Sequence, residues 1–335
     1  MAKIIGQQVE VALMKESERA TAEAPSTGDW IARGTVTVTP NKGVGEIDVS
    51  NGRITTRKDQ RTTTFDTEIK MDLPVDRTVL AKLLMGVYGT GDVDDDNPES
   101  GVDTISFTIL NTRLAPTYTI SIIDGTNQYE YACGMLVNLE LTFEASGIPM
   151  ISATYITKQR ASTSGLTASY PTTSYFASED ANVYLEDLYA QLDDATALDF
   201  IQVVFSFSRN YNEHYKLGNA NFSDISALDW DMGVHIVKDF EEMTLASGDT
   251  AYAEALFEGN TNKSFRFEVI DTNTTIGVET NPSFKLEFPT VNLNSFSMNQ
   301  DIKAVVGEEF DLVLLDGDES NGFSLAELIS DVSSV

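Results

Sequence analysis

Asp316, Asp318, Ser320 and Glu327 put side-chain oxygens at positions 1, 3, 5 and 12 of a calcium-loop template, the one ligand set that rises above background. Glycine falls one place late, at Gly322, which leaves the required turn to Asn321, a residue that tolerates left-handed backbone. The plainer reading, a solvated turn followed by a short helix that Ser324 caps, is favoured. Asp92, Asp94, Asp96 and Glu99 form a second acidic cluster, read as a flexible charged loop ahead of a cation site. No cofactor is expected, and calcium at the Asp316 loop is the single ion in question.

Catalytic chemistry is thinner still. Acid–base and nucleophilic mechanisms favour histidine near neutral pH, and the chain has only His214 and His235. His214 lies in the polar turn Asn212-Glu213-His214-Tyr215 and His235 in the apolar run from Met232 to Val237. Each reads as a surface or packed side chain rather than a base. There is no glycine-rich phosphate loop, no nucleophile elbow and no paired histidines for a metal. A lone cysteine, Cys133, forms no internal bridge and no zinc site. An enzyme is not expected, although a glycosidase-like carboxylate pair would have many acids to hide among.

The elements that would position such groups belong to a large core, since 335 residues are 41% hydrophobic and 22% charged. Acidic side chains number 52 against 22 basic ones, a net charge of −30 that repels nucleic-acid phosphates and excludes a sequence-reading DNA binder. Residues 1–160 hold 22 acids and 15 bases, whereas 161–335 hold 30 and 7. No segment has the apolar length of a secretory signal or a membrane span, so the protein is expected to fold where it is made, with no membrane contact.

Period-two alternation dominates. Thr35 to Thr39, Tyr118 to Ile122, Val203 to Ser208, Ser264 to Val269 and Ser283 to Phe288 all read as strands, with hairpin turns at Asp124-Gly125 and Asp271-Thr272-Asn273. Residues 183–187 read as strand as well. Pro74-Val75-Asp76 opens one short helix, with Val79, Leu80, Leu83 and Leu84 on one face and Gly86 just past its end. Asp249 opens another, carrying Tyr252, Ala255 and Leu256 and stopping at Gly259.

These landmarks occur twice in one order. Val9-Glu10-Val11 aligns with Val183-Tyr184-Leu185, the alternating runs and short helices follow, and Gly134 to Leu139 matches Phe288 to Leu293. Strands at Ile151 to Thr157 and Phe310 to Leu315 close the two copies. The expected organisation is a first repeat over 1–160 with an acidic insertion at 90–116, a Ser/Thr-rich linker over 161–178, a second repeat over 179–315 and an acidic tail over 316–335. The fold class is mainly β, with two tandem β-sandwich or barrel domains and one short helix in each.

Val9 to Met14, the helix end Leu83-Leu84-Met85-Gly86, the passage Tyr129 to Leu139 and the strand Ile151 to Tyr155 together resemble the major tail tube proteins of long-tailed, siphovirus-like viruses. The likeness is to the class that carries the tube fold twice. It implies a structural virion protein whose trimeric rings stack into a hollow tube for passing double-stranded DNA, assembled in the host cytoplasm. It also implies tape-measure and tail terminator or tip proteins as partners. An acid-lined lumen would let the duplex slide without specific binding. Arg53, Arg57, Lys58 and Arg61, in the polar excursion after the Thr35 strand, are the candidates for contact between rings.

The alternative is a β-sandwich module that binds carbohydrate or a receptor, for which Tyr211 and Tyr215 beside His214 are the only candidate cluster. A calcium-loaded surface-layer or adhesin domain is a third, and would need a secretion signal.

Overall fold

Alternating residues become strands through most of the chain. The computed structural model describes residues 9–31, 34–48, 57–94, 97–109, 113–172, 175–239, 243–244, 250–251, 253–299, 307–315 and 324–331. It is mainly β, with 61% of the described residues in strands, two short helices among them and one large antiparallel sheet. In chain order the elements are β1 (Val9–Lys15), β2 (Trp30–Ile31), β3 (Thr35–Asp48), β4 (Arg57–Pro74), α1 (Arg77–Tyr88), β5 (Gly89–Asp94), β6 (Asp103–Ile109), β7 (Tyr118–Asp124), β8 (Asn127–Glu144) and β9 (Met150–Thr157). There follow β10 (Ala161–Ser162), β11 (Ala181–Glu186), β12 (Gln202–Tyr215), β13 (Phe222–Asp239), β14 (Met243–Thr244), β15 (Thr250–Ala251), α2 (Ala253–Gly259), β16 (Lys263–Ile270), β17 (Ser283–Asn299), β18 (Gly307–Leu314) and β19 (Leu325–Ser330).

One pairing order occurs twice. β1 pairs with β7, β7 with β8, β8 with β9, β9 with β4 and β4 with β3. β11, β16, β17, β18, β13 and β12 pair in the same sequence. Irregularities repeat as well: Ala132 and Cys133 stand against Thr119, and Pro289 and Thr290 against Ser264, so both ladders carry a two-residue bulge at one level. By this register Gly134 corresponds to Val291 and not to Phe288, three residues out of step with the match expected from Val-Asn-Leu.

The helices refine the expected boundaries. Asp76 caps α1 by accepting from the N–H groups of Thr78 and Val79, and Gly89, at φ 87°, makes the left-handed C-terminal cap. Gly86 lies inside the helix instead of ending it. A Cβ there would come 3.0 Å from Leu136 Cδ2, so the glycine serves close packing of helix on sheet. α2 ends at Gly259 as expected, while Asp249 falls outside the described residues.

Two segments read as irregular contain regular or buried structure among their described residues, and a third, read as a short helix, is a strand. The 90–116 insertion contains the hairpin of β5 and β6. The 161–178 segment begins with β10 on β8 and ends with Phe176 buried in the core. The short helix expected after Ser324 is the strand β19, held between β17 and β6. Ser324 itself shares a 2.7 Å hydrogen bond with the Tyr88 hydroxyl. One buried apolar cluster runs through both halves, from Val11 and Leu80 to Phe284 and Leu328.

Candidate assembly interface

The two halves meet edge to edge. Asn138 to Glu144 of β8 pair with Gln202 to Ser208 of β12, so Leu139 faces Phe207, Leu141 faces Phe205 and Phe143 faces Val203. All six are buried. The Phe143 ring lies 4.5 Å from that of Phe267 and 6.5 Å from that of Phe205, contacts worth about 1 kcal/mol each beyond the area they bury. Arg209 closes the row. Its guanidinium sits 3.8 Å over the Trp230 ring and donates to the Val87 carbonyl at 3.0 Å, placing positive charge on the C-terminal end of α1. The distal arm of the β12–β13 hairpin then crosses onto the first half, where Phe222 and Ile225 pack with Met135, Val137 and Ile156. Arg19 fixes the arm through Asp224 at 2.9 Å.

The seam creates a continuous run of strands in the order β3, β4, β9, β8, β12, β13, β18, β17. It consists of two quartets of like order. Among the described residues, β3 pairs with β4 alone. At the other end, Ser295 to Ser297 of β17 have β18 as their described partner. Side chains that the seam buries are only partly covered at these outer edges. Val36 and Val38 stand where β12 has Val203 and Phe205, and Phe296 stands where β8 has Leu139. Beneath β3, a groove of about 510 Å³ is lined by Val36, Val38, Pro40, Phe65, Tyr129 and Arg160, among others.

On the face of this run away from the core, Glu68, Asp72, Glu140, Asp231, Glu309 and Asp311 are exposed or half-buried, with Lys70 among them. His235 Nδ1 lies 2.7 Å from Asp311 Oδ1, and the Ser295 hydroxyl donates to Oδ2 of the same carboxylate. Burial pushes this carboxyl up, but the Ser295 hydroxyl and His235 outweigh it and hold it below the usual range. The aspartate stands between the serine and the histidine, so the imidazole is not placed to take the serine proton. His214 is exposed and shares a 2.7 Å hydrogen bond with Ser226. Tyr215 bonds Glu213 and packs on Phe222, while Tyr211 stays at the surface.

Of the calcium candidates, Asp316, Asp318 and Ser320 lie outside the described residues, and Glu327 sits on β19 with its carboxylate 3.3 Å from Lys285 Nζ. Glu99 accepts from the N–H groups of Glu279 and Thr280, so the loop expected to be a free acidic excursion is tied to the second half; Asp96 is outside the described residues. No group of three or more metal-ligating side chains occurs among the described residues. Arg57, Lys58 and Arg61 lie on β4 near the β3–β4 tip, where Arg61 is exposed and opposite Gly45; Arg53 is outside the described residues.

Sequence reading missed Arg209 and Glu16. Glu16 is a buried carboxylate that accepts from the hydroxyls of Thr117 and Thr119 and the N–H groups of Cys133 and Ala20, so it fastens β1 to the β7–β8 bulge. Little local marks either residue, because most of their partners come from elements distant in sequence. No family model matches the chain, and no curated protein matches it.

Proposed function

We propose that this protein is a structural subunit that assembles with copies of itself into rings, and that stacked rings form the hollow tail tube of a long-tailed virus. One observation carries the reading: two quartets of like strand order form one continuous sheet whose outer edges, β3 and Ser295 to Ser297 of β17, have described partners on one side only. A duplicated module accounts for that order, and rings account for the edges, because closure removes unpaired strands. Three chains of two modules give pseudo-sixfold rings.

The polar face rich in Glu and Asp becomes the lumen, where it repels the duplex and leaves it free to slide. The core, α1 and α2 lie on the outer side. Stacking is head to tail, which does not close and therefore yields a filament. The two ends of the β4 strand differ in a way that suits it: the basic Arg61 tip is at one end, and at the other an apolar hollow of about 590 Å³ is lined by Pro74, Ile148, Met150 and Phe176. Tape-measure and terminator proteins would then occupy the lumen and the tube ends.

Electron microscopy and light scattering of the purified chain test this reading. Rings or tubes built from trimers are expected, and a monomer at every concentration would overturn it. Reversing Arg57, Lys58 and Arg61 to Glu should stop tubes elongating while rings stay soluble; unchanged tube length would remove these residues from the stacking contact.

A further inference from the structure

The seam inside one chain is also a template for the contact between chains. β8 is the last strand of the first quartet and β12 the first of the second; β17 and β3 hold the same two places at the outer ends. We propose that β3 of one copy pairs antiparallel with β17 of another in the register of the β12–β8 seam, so that Thr39 faces Ser297, Pro40 faces Phe296 and Asn41 faces Ser295. This rests on the self-assembly reading above and adds to it which strands meet and how.

The register follows residue by residue. Ser206 of β12 faces Glu140 across the seam and Gly233 within its own quartet. Thr39 takes the place of Ser206, since it faces Glu68, and Glu68 and Gly233 hold the same level against β9 and β18. Ser297 takes the place of Glu140 by the matching bulges of β17 and β8.

Chemistry at the two edges fits. Val38 and Phe296 are apolar side chains in contact with the core yet only partly covered, and their counterparts Phe205 and Leu139 are fully buried by the seam. Phe257 of α2 is 39% exposed and stacks on Phe296 with centroids 6.5 Å apart, forming a ridge opposite in character to the groove beneath β3. Lys42 pairs with Phe65 as Arg209 pairs with Trp230, so in the assembled pair it brings its ammonium to the C-terminal end of the neighbour's α2. The distal arm of the β3–β4 hairpin then lands on the same neighbour, as the β12–β13 arm lands on the first half.

Pro40 tunes the edge. The Phe65 N–H goes to the Ala220 carbonyl, away from β3, so Lys42 and Phe65 exchange no ladder bonds. By alternation the Pro40 nitrogen also points outward, where it withholds one donor. An edge blunted in this way pairs poorly with arbitrary strands, and the apolar match with β17 must supply the remainder. The same alternation makes Thr39 and Ser297 a pair without ladder bonds, with Cα atoms about 4.5 Å apart and within disulfide reach.

Oxidative cross-linking tests the register. Thr39 and Ser297 are both exposed, so the Thr39→Cys/Ser297→Cys variant should fold, which melting and far-ultraviolet circular dichroism check. Native Cys133 is buried, which pushes its thiol up to about 12 and keeps it out of the reaction. A ladder of reducible oligomers is expected, and Thr37→Cys/Ser297→Cys, two residues out of register, should give almost none. Val38→Asp should raise the concentration needed for assembly by about tenfold or more, because it places a charge in the contact. Assembly of the double-cysteine chain without its cross-link, or equal cross-linking by both pairs, overturns this register and leaves self-assembly standing. A wild-type chain that stays monomeric overturns both.

Discussion

Arg77 Nη2 lies 2.7 Å from Asp271 Oδ2, joining the first turn of α1 to the residue that follows β16, with the two side chains 2% and 9% exposed. The same guanidinium sits 5.6 Å from the Phe176 ring centroid. Asp271 also accepts from the N–H groups of Asn273 and Thr274, so one carboxylate shapes its own turn and holds the opposite half. Arg77→Ala leaves that carboxylate buried without its cation and should cost about 3–5 kcal/mol in denaturant unfolding. Removing both charges, as Arg77→Met with Asp271→Asn, should cost clearly less than the sum of the single changes. Strict additivity would show that the pair does not couple the halves.

Arg209 offers a second measure of the seam. Arg209→Ala removes a desolvated cation–π contact and the hydrogen bond to Val87, so unfolding free energy should fall by about 2–3 kcal/mol. Arg209→Lys should recover little, since an ammonium does not stack flat on Trp230. Recovery to wild-type stability by lysine would mean that charge alone matters there.

Glu99 links stability to pH. Hydrogen bonds from the Glu279 backbone and from Thr280 hold its carboxyl at about 2, below the ordinary 4.5. A depressed carboxyl stabilises the fold above its unfolded value, and that contribution is lost as pH falls from about 4.5 through about 2. Glu99→Gln should therefore melt lower than wild type near neutrality, with the gap narrowing through this range. A gap that stays constant with pH would disconnect the effect from ionisation.

Calcium should change little. Glu327, the twelfth position of the loop template, is committed to a strand and to Lys285, which leaves the template without its bidentate carboxylate. Adding calcium to chelated protein is expected to leave the melting temperature within error, whereas a rise that saturates with calcium would restore the site.

Period-two alternation made most strands legible, and Asp76 announced α1, because both signals are local. Gly86 misled because its reason is distant: the contact with Leu136 demands a small residue within the helix, and the cap falls to Gly89. Thr35 to Thr39 marked β3, but its extension to Asp48 depends on β4 across a long hairpin. β19 was hidden by its acidic lead-in and by Ser324, both of which also suit a helix start. Its strand identity comes from neighbours far away in sequence. The seam was the least legible part, since Arg209 and Phe143 resemble any strand residues until the pairing order is known.

The position of β19 also sets a timetable. β6 belongs to a hairpin synthesised early, yet one side of it stays bare until β19 emerges much later and slots in beside β17. Pairings between remote segments form slowly, because the intervening chain must first be drawn together. Completion of the early hairpin is thus tied to late translation.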